Sequence, residues 1–199
     1  LERVLKSGIE GPAEKIVEGP GASLKLSRVC FVQRVAMSNE LRILDAYEVP
    51  HASDTGPHKM VSGYRCFINP KSSLFAAGDQ GIRFASDLRA VRDSYVASQV
   101  PVQRSVGILS DNGHRTSLWI PVFVEGHIAG GVFLNSQQES VGASDVRDLW
   151  GPLITQLRAL GAMILSRAAT RHESWVEVAH GVGPEAFQGS EFSASALER

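Results

Sequence analysis

The sequence predicts an α+β fold built around an antiparallel sheet, and two stretches carry that prediction. Within Ser117–Asn135, two runs rich in Val, Ile, Phe and Trp flank Glu125-Gly126. An acidic residue followed by Gly is typical of a tight hairpin turn, because Gly adopts positive φ at little cost. A helical stripe of apolar residues follows between residues 144 and 171. The first stretch supplies the β component of the fold and the second supplies the α component.

The first strand of this central hairpin is apolar on both of its faces. Alternate positions divide into two sets, with Leu118, Ile120, Val122 and Val124 on one face and Trp119 and Phe123 on the other. A strand that is apolar on both faces needs cover on both. We therefore expect helices against one face of the sheet and another layer, such as a pocket, against the other.

A second hairpin is predicted nearer the N-terminus. Pro12 is suited to open a short helix that runs to Glu18, where Gly19-Pro20-Gly21 stops it. The β-branched and aromatic run Arg28–Val35 then predicts a strand, and Leu41–Val49 predicts the strand that returns. Residues 50 to 70 are rich in Pro, Ser, Gly and His, and they predict a long loop with a hint of order from Tyr64 to Ile68.

A short strand and a helix are predicted between this loop and the central hairpin. Residues 72–77 suggest a helical turn, and Gly81–Ala85 a short strand. Asp87 is a suitable N-cap for a helix over Leu88–Val96, which Val100-Pro101 interrupts. Asp111-Asn112-Gly113 predicts the turn before the central hairpin.

The C-terminal stripe predicts a long helix with two possible uses. Ser144 is suited to cap it, and Gly151-Pro152 predicts a kink or a restart. The apolar positions are spaced four and three apart, as in a heptad seam: Val146, Trp150, Leu153, Leu157, Leu160 and Ile164. The later positions Leu157, Leu160 and Ile164 either pair with a second chain or pack on the protein's own sheet. We place the domain at 1–171 and interpret 172–199 as a linker or the start of another segment.

Composition limits the classes of function. The chain has 199 residues, 43% hydrophobic and 21% charged, with a formal net charge of -1 and no basic cluster. We therefore expect no nucleic-acid surface and no membrane span. Cys30 and Cys66 belong to no C-x-x-C pair, so we expect free thiols in a reducing, cytoplasmic setting. The first residues lack an initiator Met and a signal-peptide core, and we expect a piece of a longer protein.

Three stretches together resemble a GAF domain, a sensory relative of the PAS fold. The best match is 117–134, with its strand, Pro, strand, acidic-Gly turn and Gly-containing strand. Residues 26–32 resemble the family's first strand, and 77–87 resemble its mid-domain strand followed by Asp. The helix from Ser144 resembles the C-terminal signalling helix. The resemblance covers roughly residues 10 to 170.

The resemblance implies an antiparallel sheet of about six strands, with terminal helices on one face and a small-molecule pocket on the other. It further implies a regulatory domain that senses an unidentified small molecule, transmits through its C-terminal helix to an output domain, and forms a homodimer through terminal helices. The alternative is a ligand-free dimerisation module of a multidomain regulator. We expect no enzymatic activity in this domain. The fold by itself does not distinguish a ligand sensor from a ligand-free dimerisation module.

No motif in the sequence identifies a ligand, a cofactor or a metal. The cyclic-nucleotide pattern of some GAF domains is absent, and Cys66 precedes Phe67 where bilin-binding members often have His. We expect no metal site, and we interpret His114 and His127 as exposed residues beside turns. No nucleophile or phosphate-loop motif is present, so no catalytic residue is assigned. The candidate pocket residues are Phe84, Asp87, Trp119 and Phe133, with Arg104 as a possible anion anchor.

Overall fold

A six-stranded antiparallel sheet is the centre of the part of the chain that the structure describes. The structure is a computed structural model, and it describes residues 11–35, 38–50, 60–68, 74, 82–99, 101–138 and 153–169. The strands are β1 (Leu26–Arg34), β2 (Glu40–Glu48), β3 (Arg65–Phe67), β4 (Arg83–Ala85), β5 (Thr116–Val124) and β6 (His127–Ser136). Their order across the sheet is β3-β2-β1-β6-β5-β4, so the hairpins β1–β2 and β5–β6 lie side by side. The predicted antiparallel sheet of about six strands is confirmed.

Five helices accompany these strands in the described residues: α1 (Pro12–Glu18), α2 (Pro20–Ser23), α3 (Leu88–Ala97), α4 (Arg104–Asp111) and α5 (153–169). Pro12 opens α1, and the backbone N–H of Ala13 donates to Asp45 Oδ2 over 2.9 Å. Asp87 caps α3 as predicted, because its Oδ1 accepts from the backbone N–H of Arg89 at 2.9 Å. The sequence did not predict α4, which falls between the expected helix break and the expected turn.

The turn of the central hairpin has the backbone that its sequence requires. Glu125 has φ 51° and Gly126 has φ 79°. Two consecutive positive φ angles twist a two-residue turn in the same sense as the strands that it joins. Gly accepts this conformation freely, and one non-Gly residue tolerates it at moderate cost. The predicted hairpin is confirmed.

The two faces of the sheet carry two separate apolar clusters. The first, called the helix-side cluster, joins α1 and α5 to one face: Ala13, Ile16, Val17, Leu26, Val29, Phe31, Leu118, Ile120, Val132, Leu134, Leu153, Ile154, Leu157, Leu160 and Ile164. The second, called the cavity-side cluster, joins α3 and α4 to the opposite face: Cys30, Val32, Leu41, Ile43, Met60, Ile68, Leu88, Ile108, Leu109, Trp119 and Ile128. The predicted division of β5 into two apolar faces is confirmed for Leu118, Ile120 and Trp119, whereas Val124 at the end of the strand is exposed.

Helix α5 packs closely on the middle of the sheet. A Cβ added to Gly161 would lie 2.9 Å from Val122 Cγ2, so the glycine lets the helix approach the strands. Arg158 Nε donates to the carbonyl oxygen of Pro121 at 3.1 Å, which ties the helix to β5. Close packing and a directed hydrogen bond together fix where α5 lies on this face.

The heptad stripe of α5 belongs to the protein's own core. Leu157 and Leu160 have no exposed surface, and Ile164 is 8% exposed. The structure packs these three side chains against the protein's own sheet, which is one of the two uses left open by the sequence. The exposed positions of the helix are others, including Ala159 and Met163.

Several sequence-based expectations lie outside the described residues. These are the Ser144 cap, the kink at Gly151-Pro152, most of the helical turn at 72–77, and the linker at 172–199. The domain limits of 1–171 therefore stay a prediction. Among the helices that the structure describes, none combines the length and the apolar character needed to cross a membrane.

Candidate ligand-binding cavity

A cavity of about 440 Å³ lies on the face of the sheet opposite α1 and α5. Volumes of this size are typical of small-molecule sites. Its floor consists of residues of the sheet, and α3, α4 and residues of segment 60–68 contribute walls. The lining is mostly apolar, with polar groups at a few positions, and this is the composition that ligand pockets share.

An aromatic row crosses the floor of the cavity. Arg83, Trp119, Phe133 and Cys30 lie directly opposite one another on β4, β5, β6 and β1. Residues that face each other across strands share one side of a sheet. The rings of Trp119 and Phe133 have centroids 4.5 Å apart and are tilted by 38°. The pair forms an apolar surface against which the body of a ligand can pack.

Gly131 makes room for the indole of Trp119. A Cβ on Gly131 would lie 2.5 Å from Trp119 Cη2 and 2.5 Å from the carbonyl oxygen of Ile120. Glycine inside a strand often marks such a close approach. The indole Nε1 of Trp119 is buried and has no hydrogen-bond partner among the described residues.

A polar row runs beside the aromatic one. Ser117, Asn135, Arg28 and Glu48 are opposite one another on β5, β6, β1 and β2. Ser117 and Arg28 line the cavity. The floor therefore changes from polar to apolar along the strand direction, and this difference gives the cavity an orientation.

Arg28 is a buried cation at the polar end. Its side chain is 3% exposed. One terminal nitrogen, Nη1, donates to Asn135 Oδ1 at 3.1 Å, and Nη2 donates to the carbonyl oxygen of Met60 at 3.4 Å. Nε lies 3.7 Å from Glu48 Oε2, which is an ion pair without a hydrogen bond. A guanidinium carries five N–H groups, so Arg28 has donors on each of its nitrogens to spare among these residues.

Glu48 is shared between several partners. His114 Nε2 lies 2.9 Å from Glu48 Oε1, and Asn112 Nδ2 donates to the same oxygen at 3.3 Å. Burial raises the pKa of Glu48, but the hydrogen bond from His114, with the charges of His114 and Arg28, outweighs it and holds the pKa below its usual range. The carboxylate stays ionised at neutral pH and offsets part of the charge of Arg28.

His114 is a core residue, and the interpretation of it as an exposed turn residue was wrong. It has no exposed surface, and its Nδ1 lies 2.9 Å from Ser27 Oγ. The turn at 111–113 is present, but the chain after it enters β5 and carries the imidazole inward. His127, beside the hairpin turn, is exposed as expected.

Two thiols line the cavity and neither is activated. Burial raises the pKa of Cys66 to about 11. Burial likewise raises the pKa of Cys30, an effect that the neighbouring charge of Arg28 only partly opposes. The thiolate is the nucleophilic form of Cys, so both side chains are weak nucleophiles at neutral pH.

The structure brings together three of the five candidate pocket residues. Trp119 and Phe133 form the aromatic floor, and Phe84 lines the cavity at the sheet edge. Phe84 also packs against the helix-side cluster, since it lies opposite Leu118 on β5. Asp87 and Arg104 are not among the described lining residues. Asp87 is the cap of α3, and Arg104 is exposed in the first turn of α4.

The arginines that line the cavity were not those expected from sequence. They are Arg28 and Arg83, on β1 and β4. One signal in the sequence pointed to Arg28. It shares a face of β1 with Cys30 and Val32, so a charged residue stands where another apolar residue would be expected. Its partners are 107 and 32 positions away in the chain, and nothing in the sequence announces such distant contacts.

Metal ligands do not cluster in the described part of the chain. No group of three or more His, Cys, Asp or Glu side chains is close enough there to hold an ion.

The fold is that of GAF domains in solved structures. The GAF domain of a two-component sensor histidine kinase from Bacillus halodurans is 16% identical, with a TM-score of 0.50 over 80% of this chain and 97% of that chain. The phycoerythrobilin-bound GAF domain from a cyanobacterial phytochrome is 13% identical, with a TM-score of 0.53 over 86% of this chain and 93% of that one. A phycocyanobilin-bound GAF domain, also from a cyanobacterial phytochrome, is 14% identical, with a TM-score of 0.51 over 82% and 90%.

No protein-family model and no curated protein sequence matches this chain. At the identities given above, the likeness to solved structures concerns the fold. The GAF-like α+β fold that the sequence resemblance implied is confirmed.

Proposed function

We propose that this domain is the sensory module of a signalling protein, and that it binds a small molecule in the cavity between the sheet and helices α3 and α4. The observation that carries the proposal is the cavity itself. It has about 440 Å³ of space beside an apolar floor, whereas the opposite face of the same strands is filled by side chains. Unfilled apolar volume costs stability, so a folded domain that keeps it has a use for it.

Helix α5 is the element that transmits the binding event. It lies on the reverse side of the strands that form the cavity floor, and Arg158 connects it to Pro121, two residues along β5 from Trp119. A ligand shifts the position of the helix only if it binds one arrangement more tightly than the other.

The remaining parts of the proposal follow from this role. The domain is a cytoplasmic regulator without catalytic activity of its own, and no nucleic acid binds to it. Its protonated thiols support this assignment, because a reactive Cys66 would be the simplest source of chemistry in the cavity. A homodimer formed through α5 uses the exposed side of the helix around Ala159 and Met163.

Native mass spectrometry of the purified domain tests the proposal. We expect a small molecule that leaves on denaturation. The matched control is Val106→Trp, which adds bulk to a cavity-lining position of α4, and the same molecule should be absent from it. Native dimers that carry nothing, with a melting temperature that no added small molecule raises, would favour the ligand-free dimerisation module instead.

A further inference from the structure

The charged side chains that the structure describes in the lining of the cavity are cationic. The charged side chains among its described lining residues are Arg28 and Arg83, and no Asp or Glu is present in that set. A buried cation in an apolar wall is costly unless an anion accompanies it. The ligand class should therefore follow from how well the protein itself supplies that anion.

The protein provides only part of the negative charge that would neutralise Arg28. Glu48 is the nearest carboxylate to Arg28, and its Oε2 is 3.7 Å from Nε, beyond hydrogen-bond distance. Its other oxygen is engaged by His114 and Asn112. The shorter contacts of Arg28 are with two neutral acceptors, Asn135 Oδ1 and the carbonyl oxygen of Met60. Donors therefore remain on a positively charged group that lines the cavity.

We propose that the cavity takes a small organic anion, with an oxyanion such as a carboxylate against Arg28 and an apolar body on the Trp119–Phe133 pair. This inference rests on the proposed function, since it names the ligand class of the same site. A charged acceptor suits the spare N–H groups of a guanidinium, which bind carboxylates in a forked geometry. The apolar body lies toward Val32, Ile43 and Ile68, which line the cavity beyond the aromatic row.

Two features of the site favour an anion over a neutral or cationic ligand. A cation would be repelled by Arg28, and it would find no carboxylate among the described lining residues. A neutral ligand would leave the charge of Arg28 as it is in the free protein. Burial strengthens both the repulsion of a cation and the attraction of an anion, because low-dielectric surroundings screen charges poorly.

A pair of fluorescent dyes tests the ligand class. Anilinonaphthalene sulfonate has an anionic group on an aromatic body, and phenyl-naphthylamine has the same body without the charge. Both increase in fluorescence in apolar sites. We expect the sulfonate to bind the cavity about tenfold or more tightly than the neutral dye, because hydrogen bonds to charged groups are the strong ones. Measurements in about 0.15 M salt suppress binding to surface charges.

The Arg28→Gln/Glu48→Gln double variant is the decisive comparison. It removes both members of the Arg28–Glu48 ion pair, so neither is left as an unpaired buried charge. We expect it to bind the sulfonate no better than the neutral dye, with neutral-dye affinity unchanged. Arg83→Gln is the matched control, since it removes a cavity-lining positive charge from another strand, and we expect a smaller loss. If the double variant does not fold, Arg28→Lys replaces it, because a lysine keeps the charge but loses the forked contact.

The outcomes separate this inference from the proposed function. If the two dyes bind the wild type with equal affinity and neither binds Val106→Trp, the cavity is a ligand site but the proposal of an anionic ligand is overturned. A sulfonate affinity that depends on Arg83 and not on Arg28 would overturn the assigned anchor. Dye binding that Val106→Trp leaves unchanged would show that neither dye occupies the cavity, and both proposals would fall together.

Discussion

The two faces of the sheet use the same strands for different purposes. On the helix side, alternate residues of β1, β5 and β6 pack against α1 and α5 and leave few polar groups. On the cavity side, the residues between them include aromatic, cysteine, polar and charged side chains besides aliphatic ones, and they surround open volume. Because successive side chains of a strand point to opposite faces, the same strands supply residues to both sides of the sheet.

This difference separates stability from binding. The helix-side cluster gains its free energy from dense packing, to which each buried Leu contributes through many contacts. The cavity side keeps unfilled space and a buried cation, and both oppose folding. Truncating an apolar side chain on the helix side should therefore lower the free energy of unfolding with little effect on a ligand. Truncating one that lines the cavity should cost less stability and change ligand binding.

The largest difference is expected for two Leu→Ala substitutions. Leu160 is fully buried in the helix-side cluster, and Leu109 lines the cavity. We expect Leu160→Ala to lower the free energy of unfolding by about 4 kcal/mol and Leu109→Ala by about 2 kcal/mol, since a side chain beside empty space has fewer contacts to lose. Urea unfolding measures both. Equal losses would show that the two faces are packed alike.

A second pair concerns two glycines. Gly131→Ala places a methyl group 2.5 Å from a backbone oxygen and from the ring of Trp119, whereas Gly161→Ala meets a side-chain methyl group at 2.9 Å. We expect a loss of about 3 kcal/mol for Gly131→Ala, because neither neighbour yields easily. In Gly161→Ala, helix propensity offsets the overpacking by about 1 kcal/mol. Thermal unfolding compares them, and a milder Gly131→Ala would contradict the close approach.

The polar row predicts a particular pH dependence. The pKa of Glu48 is lowered in the folded protein, so its contribution to stability is present above its unfolded pKa and is lost as pH falls through its folded pKa. We expect Glu48→Gln to cost about 2 kcal/mol at pH 7. Below about pH 4, the pKa of an unfolded Glu, the difference between wild type and variant should shrink. A difference that stays constant down to about pH 3 would exclude a charge effect.

The smallest effect is expected at the link between α5 and β5. Arg158→Met keeps much of the apolar stem and removes the hydrogen bond to Pro121, and we expect a loss of about 1 kcal/mol. Arg92→Met is a suitable control, since its ion pair with Asp111 is exposed and contributes little. Hydrogen exchange of α5 amides measures the change locally. Unaltered exchange in Arg158→Met would remove this link from the proposed route of transmission.

The features that were predictable from sequence are local ones. The central hairpin, the Pro12 helix start and the Asp87 cap each depend on residues within a few positions of one another. The alternation of β5 likewise places Leu118 and Trp119 on opposite faces without knowledge of the rest of the chain. Periodicity and turn chemistry are short-range signals, and they were sufficient for these elements.

The features that were missed depend on distant contacts. Arg28, Glu48 and His114 meet only because β1, β2 and the start of β5 assemble in one sheet. Helix α4 is short, and its apolar residues can be recognised as the buried face of a helix only when the cavity side of the sheet is known. Arg104 was a reasonable anion anchor in sequence, but it is exposed at the start of that helix. Long-range polar pairs carry no pattern that one sequence can display.

The alternation along the strands also has a genetic consequence. In β1, β5 and β6, codons for cavity-lining residues alternate with codons for residues of the packed core. Single-base substitutions can therefore alter the chemistry of the cavity one position at a time and leave the core intact. Inserting one whole codon within a strand would instead exchange the two faces beyond it. Lineages of such a domain should accordingly diversify by substitution inside the strands and by length changes only in the connections between them.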